Sequence, residues 1–302
     1  MLLSNFIKEN TASLESLYPT VEARSIVLML CEDILGTKSY THIIEPQTVI
    51  PQSKEGALQD AMDRLRRGEP IQYVTSKVEW CGLTFTVTPD VLIPRPETEL
   101  LCREAIKTGM RIYRMRRPYG KKAQPVRILD LCTGSGCIAW KTALDITGAK
   151  VTGVDISPEA LEVAKGQNFS SLLKETGATA PTFLRYDVLD GGEAFSKEGI
   201  SEFDLILSNP PYIMESERHL LRKNVVDFEP EIALFVPDDD PLLFYRAIAK
   251  WSTRYLSPEG TGLTEINDVL GKETAELFRS EGFSAEIIQD FYGRNRFILY
   301  KK

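Results

Sequence analysis

From residue 126 onward, short apolar segments alternate with segments of helical pattern. Such alternation is typical of a largely parallel, doubly wound sheet. The residues that favour helices between the strands include 157–177, which we expect to form one helix. Only a short glycine-containing turn, YGRN, separates the last two strands, so we expect the last strand to run antiparallel. The segments expected to form strands are VRILDLC, KVTGVDI, TFLRYDV, FDLILSN, GTGLTEI, SAEIIQDF and RFILYKK.

The residues before this sheet have a different pattern. Apolar residues recur at helical spacing over 20–36 and 53–70, and both stretches end at glycine or proline. We therefore expect residues 1–76 to form a small helical bundle. Residues 77–96 are rich in β-branched and aromatic residues, broken by glycine and proline, which favours a β-hairpin connecting two domains. Residues 97–302 would then form the second domain.

Composition excludes some classes of protein. The chain has 302 residues, of which 43% are hydrophobic and 26% charged, as in ordinary globular proteins. Its net charge of −7 argues against a protein whose main role is to bind nucleic acid stably. The five cysteines form no CxxC pair and there are only two histidines, so we expect no metal site and a reducing compartment. The chain starts without a recognisable signal peptide and has no apolar run of about 18 residues, so we expect a cytoplasmic protein without membrane spans, by default a monomer.

The stretch ILDLCTGSGCIA, residues 128–139, combines a strand, a glycine turn and a helix. Gly134 and Gly136 allow a sharp turn and a close approach of backbone to ligand. Together with Ala139 they match the spacing of a dinucleotide-binding turn, and Asp155 follows at the end of the next strand. An acidic residue at that place can accept both hydroxyl groups of a ribose. The pattern therefore predicts a nucleoside-binding site.

The glycine turn alone does not decide which nucleoside binds. NAD would place its pyrophosphate at the helix N-terminus, whereas S-adenosylmethionine has no phosphate and carries an ammonium group. Asp130, just before the turn, suits an ammonium group and disfavours a pyrophosphate. Asp187, at the end of the third strand, lies where a carboxylate or its neighbours can meet the edge of an adenine. At this point both cofactors remain open.

The fourth strand ends in SNPPYI, residues 208–213. Pro210 and Pro211 have fixed φ angles and no amide hydrogen, so the corner is rigid and rich in acceptors. The side-chain oxygen of Asn209 and the carbonyl of Pro210 can accept the two hydrogens of an –NH₂ group, and Tyr212 adds an aromatic wall. An amide nitrogen held in this way can be aimed at an electrophilic methyl group without a strong base.

Taken together, these motifs resemble those of the release factor glutamine methyltransferases of the HemK/PrmC type, which are class I S-adenosylmethionine-dependent enzymes. The resemblance implies an α/β fold: a Rossmann-like class I methyltransferase sheet with an N-terminal helical bundle that helps dock the substrate. It also implies methylation, by S-adenosyl-L-methionine, of the glutamine amide in the Gly-Gly-Gln loop of class I peptide chain release factors, with S-adenosyl-L-homocysteine as product. The segments that carry it are RGEPIQYV, FTVTPDVLIPRPETELL, LDLCTGSGCIA, VTGVDISPEALEVAKGQN, FDLILSNPPYI, FEPEIAL and YGRNRF.

The resemblance assigns roles to residues at matching positions. The reacting amide would be held by Asn209, and the glutamine framed by Pro210, Pro211 and Tyr212, with Arg95 either closing over the site or forming a structural ion pair. Three positions depart from the frequent pattern: Cys132 and Asn267 stand where glycine is common, and Val188 where tryptophan is common. The residues implied to bind the cofactor are Asp130, Cys132, Thr133, Gly134, Ser135, Gly136, Asp155, Ile156, Asp187, Val188 and Asn209.

Two rival enzymatic functions remain, and a third interpretation, a methyltransferase-like scaffold without activity, is disfavoured by the intact glycine turn, Asp155 and NPPY. An enzyme that methylates the amino groups of adenine or guanine in nucleic acid also uses such a corner, but it needs a basic groove. A NAD-dependent dehydrogenase would explain the glycine turn but not SNPPYI. The basic segment 111–122 is interpreted as a solvated loop, with contact to an acidic surface or to RNA as the alternative.

Overall fold

The computed structural model describes residues 1–116, 124–199 and 202–302. It divides into two compact units, Met1–Lys77 with Leu221–Phe228, and Val78–Leu220 with Glu229–Lys302. The hairpin that we expected as a connector is thus counted within the larger unit, and a short internal segment belongs to the smaller one. Residues 117–122 of the basic segment lie outside the described residues.

The smaller unit is helical, as expected. Its helices are α1 Leu3–Leu14, α2 Thr20–Leu35, α3 Thr41–Ile44, α4 Gln52–Arg66 and α5 Ile71–Thr75, and the internal segment adds Lys223–Phe228. Helix α2 ends where Gly36 adopts a left-handed conformation with φ of 70°. The apolar stripes of α1, α2 and α4 meet in one buried cluster, so the periodicity seen in the sequence is the core of this unit.

The hairpin β1 Lys77–Trp80 and β2 Leu83–Thr86 lies at the start of the larger unit, which begins at Val78. Its helices are α6 Thr98–Met115, α7 Cys137–Asp145, α8 Pro158–Lys165, α9 Ser170–Thr176, α10 Leu243–Tyr255 and α11 Gly271–Ser280. Its sheet strands are β3 Val126–Leu131, β4 Ala149–Asp155, β5 Thr182–Arg185, β6 Phe203–Ser208, β7 Leu256–Glu265, β8 Ser284–Gln289 and β9 Asn295–Lys301, and two short strands, Ile213–Met214 and Phe235–Val236, form a separate pair. Short 3₁₀ turns lie at Val188–Asp190, Ala194–Glu198, Glu215–Leu220, Glu231–Ala233 and Asp268–Leu270.

The seven strands form one sheet in the order β8-β9-β7-β6-β3-β4-β5. Strands β3 to β7 pair in parallel, whereas β9 runs antiparallel to both of its neighbours. This arrangement confirms the expected mostly parallel sheet with an antiparallel last strand. Adjacent buried residues such as Ile128 and Leu129 belong to two different apolar clusters, one containing α6 and α7 residues and the other α10 and α11 residues. Both faces of the sheet are therefore covered, as long apolar runs in parallel strands require.

The prediction of one helix over 157–177 is wrong, because the structure has two helices separated by residues 166–169. The buried side chain of Gln167 explains the break. Its Oε1 accepts the Thr86 amide at 2.9 Å, and its Nε2 donates to the Thr86 carbonyl at 2.9 Å and to the Ser135 carbonyl at 3.2 Å. Because the Gln167 side chain bonds to the backbone amide and carbonyl of Thr86 at the edge of the hairpin, the chain leaves the regular helix at this point. The residues that the structure describes include no helix long and apolar enough to cross a membrane.

Candidate active site

The carboxyl ends of strands β3, β4, β5 and β6 meet at one edge of the sheet, where ligands bind in open α/β sheets. A cavity opens at this edge, and most of the predicted site residues line it. These are Cys132, Thr133, Gly134, Ser135, Asp155, Ile156, Asp187, Val188, Asn209 and Pro211. Asp130, Gly136, Pro210, Tyr212 and Arg95 are not among the lining residues.

The two glycines of the turn serve different needs. A Cβ atom on Gly134 would meet no protein atom within 4 Å, and this residue lines the cavity. A Cβ atom on Gly136 would lie 3.0 Å from both Ala164 Cβ and the Phe183 ring. The absence of a side chain therefore leaves space for a ligand at Gly134 and allows close packing at Gly136, and cofactor binding by the two glycines stays a prediction. Both have positive φ, 53° and 76°.

Cys132 is the unusual residue of the turn, because it has a φ of 59° although it is not glycine. A left-handed conformation costs a residue with a Cβ atom about 1–2 kcal/mol. Burial raises the pKa of its thiol well above the usual value, with further contributions from Asp155 and Asp130. The neutral thiol lines the cavity as a small apolar surface.

Asp155 ends β4 and faces the turn. Its Oδ2 accepts the Gly134 amide at 2.8 Å, and its Oδ1 accepts the Ser157 amide at 3.0 Å. Burial raises its pKa, while these backbone hydrogen bonds act in the opposite direction. A carboxylate has about four acceptor positions, so Asp155 keeps the capacity to accept two ribose hydroxyl groups.

Asp130 lies beneath the turn and is fully buried. Its Oδ2 accepts the Thr133 hydroxyl at 2.6 Å, whereas its Oδ1 has no hydrogen-bond partner among the described residues. Burial raises the pKa of Asp130 to about 7; the Thr133 hydroxyl and the Ala139 amide lower it, and Asp155 raises it further. The Thr133 hydroxyl lines the cavity and donates its hydrogen to this buried acid, so its lone pairs and the negative charge behind it fit a cationic ligand group. This acceptor, the open space at Gly134 and Asp155 together fit S-adenosylmethionine.

The SNPPYI corner leaves β6 after Ser208, whose hydroxyl donates to the Leu131 carbonyl at 2.8 Å and so joins the corner to β3. The Asn209 Nδ2 donates to the Thr98 hydroxyl at 3.2 Å, and Asn209 lines the cavity. The Tyr212 hydroxyl donates to Glu265 at 3.0 Å. Burial, together with the Glu265 carboxylate, raises the pKa of Tyr212 well above its usual value. Tyr212 is therefore a neutral hydrogen-bond donor and not a base.

Arg95 forms the structural ion pair, the second of the two alternatives that the sequence left open. Its guanidinium lies 2.7 Å from Glu229, whose side chain is 1% exposed and also accepts the Ile93 amide at 3.2 Å. A carboxylate buried to this degree needs a charged partner. Arg95 is not among the cavity-lining residues, and a role of Arg95 in substrate binding stays a prediction.

Several lining residues were not predicted. They are Asp90, Val91, Leu92 and Pro94 after the hairpin, Thr98, Cys137 and Ile138 on two helices, Ser157, Ala160 and Leu189 around the sheet edge, and Pro230, Ile232, Ala233 and Phe244. Most of them are apolar and carry no chemical signature of their own. For those in 90–98 and 230–233, the signal lay in the segments FTVTPDVLIPRPETELL and FEPEIAL, which were noted for resemblance but not assigned to the site.

Comparison with known proteins gives matches to both units. A family model described as a methyltransferase domain matches residues 122–242, and one described as the PrmC N-terminal domain matches residues 7–75. The release factor glutamine methyltransferase of Bacteroides thetaiotaomicron is 37% identical over 95% of this chain and 95% of its own. Those of Flavobacterium psychrophilum and Clostridium acetobutylicum are 34% and 35% identical over 99% and 80% of this chain and 98% and 78% of their own.

Proposed function

The chain belongs to the release factor glutamine methyltransferase family, and we infer that it transfers a methyl group from S-adenosyl-L-methionine to a release factor glutamine. The acceptor is the side-chain amide nitrogen, in the Gly-Gly-Gln loop of class I peptide chain release factors. The observation that carries this inference is the place of Asn209. It stands on a rigid two-proline corner and lines the same cavity as the nucleoside-binding residues.

Three parts of the cavity support the proposed cofactor. Asp155 is available for the ribose hydroxyls, and the Thr133–Asp130 pair for the ammonium of the amino-acid tail. Ile156 and Val188 give apolar surface for the adenine, beside the carboxylate of Asp187, whose Oδ1 accepts the Leu189 amide at 2.8 Å. When bound, S-adenosyl-L-methionine supplies an electrophilic methyl group and leaves as S-adenosyl-L-homocysteine.

The corner can activate the amide without removing a proton from it first; after the methyl group is transferred, the positively charged nitrogen releases one proton to solvent. An amide nitrogen is a poor nucleophile because its lone pair is delocalised. Asn209 Oδ1 and the Pro210 carbonyl accept its two hydrogens, which directs the nitrogen and stabilises the positive charge that develops during transfer. Neither group needs to change its protonation state, and the two prolines prevent the corner from relaxing.

The test is methyl transfer from labelled S-adenosyl-L-methionine to a purified class I release factor. Its Gln→Ala loop mutant and duplex DNA serve as parallel acceptors. Label on the wild-type factor alone is expected. Label on DNA would favour an amino-methylating nucleic-acid enzyme instead, and label on neither would remove the proposed substrate.

Two variants separate the roles of corner and turn. Asn209→Ala should nearly abolish turnover while S-adenosyl-L-homocysteine affinity stays within a few-fold, because the side chain acts on the acceptor amide. Asp155→Ala should weaken cofactor affinity by about 1–3 kcal/mol through loss of the ribose contact. Wild-type turnover of Asn209→Ala would refute the amide clamp, and unchanged affinity of Asp155→Ala would refute the ribose contact.

We further propose that the helical unit docks the release factor and that the enzyme acts as a monomer in the cytoplasm. The match of residues 7–75 to the PrmC N-terminal domain supports the docking role. Deleting only the helical unit should therefore raise the KM for the release factor and leave S-adenosyl-L-homocysteine affinity intact.

A further inference from the structure

We propose that Glu265 is a positioning residue that, through the Thr98 hydroxyl, holds the side-chain amide of Asn209 in one orientation. The proposal rests on the proposed function, because Asn209 matters there as an acceptor for the substrate amide. Neither Glu265 nor Thr98 contributes to the glycine turn or to the SNPPYI corner. Both are buried, with 4% and 2% of their surface exposed.

The three side chains form a continuous chain of hydrogen bonds. Asn209 Nδ2 lies 3.2 Å from Thr98 Oγ1, and Thr98 Oγ1 lies 2.7 Å from Glu265 Oε2. An ionised carboxylate only accepts hydrogen bonds, and a hydroxyl has one hydrogen to donate. The Thr98 hydrogen therefore goes to Glu265, and only a lone pair of Thr98 remains for Asn209.

This direction determines which end of the Asn209 amide faces Thr98. Nitrogen and oxygen of an asparagine side chain are distinguished by their hydrogen-bond partners. Because Thr98 offers Asn209 an acceptor, the –NH₂ end must face Thr98, and Oδ1 is directed away from it. Oδ1 is the atom that the proposed clamp needs to present to the substrate amide. The buried carboxylate of Glu265, two hydrogen bonds away from Asn209, thus determines which end of the Asn209 amide faces the substrate.

The same carboxylate also holds the far end of the corner. Its second oxygen, Oε1, accepts the Tyr212 hydroxyl at 3.0 Å. Both oxygens of Glu265 are thereby engaged, one towards Asn209 and one towards Tyr212. Burial raises the pKa of Glu265 and Glu97 raises it further, whereas the Thr98 and Tyr212 hydrogen bonds and Arg296 lower it.

Replacing the carboxylate by an amide predicts a specific defect. In Glu265→Gln the new –NH₂ group can donate to Thr98, which frees the Thr98 hydrogen for Asn209 Oδ1. Asn209 then turns its Oδ1 atom towards Thr98 and away from the substrate amide. Thr98→Val removes the intermediate hydroxyl and leaves the orientation of Asn209 unsupported, whereas Thr98→Ser keeps the hydroxyl.

The experiment measures kcat and KM for the release factor together with S-adenosyl-L-homocysteine affinity. Glu265→Gln and Thr98→Val should lower kcat about 10- to 100-fold, with KM and cofactor affinity within about threefold, because misorientation affects the reacting geometry. Thr98→Ser should restore most of the turnover lost in Thr98→Val. Thr108→Val is the matched control, since Thr108 is a buried threonine of the same helix, and its turnover should equal that of the wild type.

The outcomes separate this proposal from the proposed function. An active wild type with unimpaired Glu265→Gln and Thr98→Val overturns the positioning role alone. So does a Thr98→Ser variant as slow as Thr98→Val, or a loss expressed in KM or cofactor affinity. If either Glu265→Gln or Thr98→Val does not fold, as judged by loss of cofactor binding, the kinetic constants of the other variant decide whether the positioning role holds. A wild type inactive on release factors overturns both proposals.

Discussion

As the pH rises, the free energy of unfolding of the ligand-free larger unit should increase in Asp130→Asn relative to the wild type. Asp130 is fully buried, and its pKa is raised from the ordinary 3.8 to about 7. The folded protein therefore binds this proton more tightly than the unfolded chain does. The stability that the protonated Asp130 contributes to the folded state is fully present below its unfolded pKa of 3.8. It is lost as the pH rises from there through the folded pKa of about 7.

The magnitude follows from the size of the shift. A difference of about three pKa units corresponds to about 4 kcal/mol between the two protonation states. Between about pH 5 and about pH 8 the wild type should lose about 2–3 kcal/mol relative to the variant, because part of the loss already occurs below pH 5. The asparagine carries its own cost at the orphaned Oδ1 position, about 1–3 kcal/mol, but this cost does not change with pH.

Urea titrations at the two pH values measure this difference. Tryptophan fluorescence reports the larger unit selectively, since Trp80, Trp140 and Trp251 all belong to it. Glu175→Gln, which removes an exposed carboxylate of the same unit, is the control and should follow the wild type. Parallel pH dependence of the wild type and Asp130→Asn would refute the reasoning, because it would mean that the Asp130 carboxyl group titrates alike in the folded and unfolded protein.

Three further substitutions give sharp expectations. Gly262→Ala places a Cβ atom 1.9 Å from the Tyr300 ring across two paired strands, so urea unfolding should show a loss of about 3 kcal/mol or more. In Gly56→Ala the new Cβ atom, inside a helix of the smaller unit, meets no atom of the described residues within 4 Å, so urea unfolding followed by far-UV circular dichroism, which also reports that unit, should show a gain of about 0.5–1 kcal/mol. Asn267→Gly removes the donor that holds the Tyr212 carbonyl at 3.2 Å, which should lower the unfolding free energy by about 1–3 kcal/mol and kcat by less than tenfold. Unchanged stability of Asn267→Gly would show that the carbonyl needs no such support.

The parts of the molecule with regular patterning were predictable from sequence. The alternation after residue 126 gave the strands, and the turn before the last strand gave its antiparallel direction, because both depend on local spacing. The break near Gln167 was not predictable, since its cause is a hydrogen bond to the hairpin, 81 residues away in sequence. The placement of Arg95 likewise depended on Glu229, which lies 134 residues further along the chain.

The candidate site divides in the same way. Residues with distinctive chemistry or conformation, such as Asp155 and Asn209, were found from their motifs and line the cavity. The apolar wall around Leu92 and Ile232 was missed, because apolar residues in loops look alike whether they face a ligand or the core. No role could be assigned to Glu265 from the sequence, since its contacts with Thr98 and Tyr212 exist only in the folded protein.

Asp130 and Glu265 show why the site contains buried acids at all. Each stands at or near the carboxyl end of a central strand, and burial raises the pKa of both, which means that the folded state disfavours their charge. An apolar residue at either position would be less costly to bury. The two differ in how many acceptors they leave free: both Glu265 oxygens are engaged by the protein, whereas one oxygen of Asp130 is not. A fully engaged carboxylate can only hold its neighbours in place, whereas Asp130, beneath the cavity-lining Thr133, adds a negative charge that favours a cationic ligand group. We therefore expect Glu265→Gln to lower turnover alone and Asp130→Asn to lower cofactor affinity. If Asp130→Asn kept wild-type affinity for S-adenosyl-L-homocysteine, this distinction would fail.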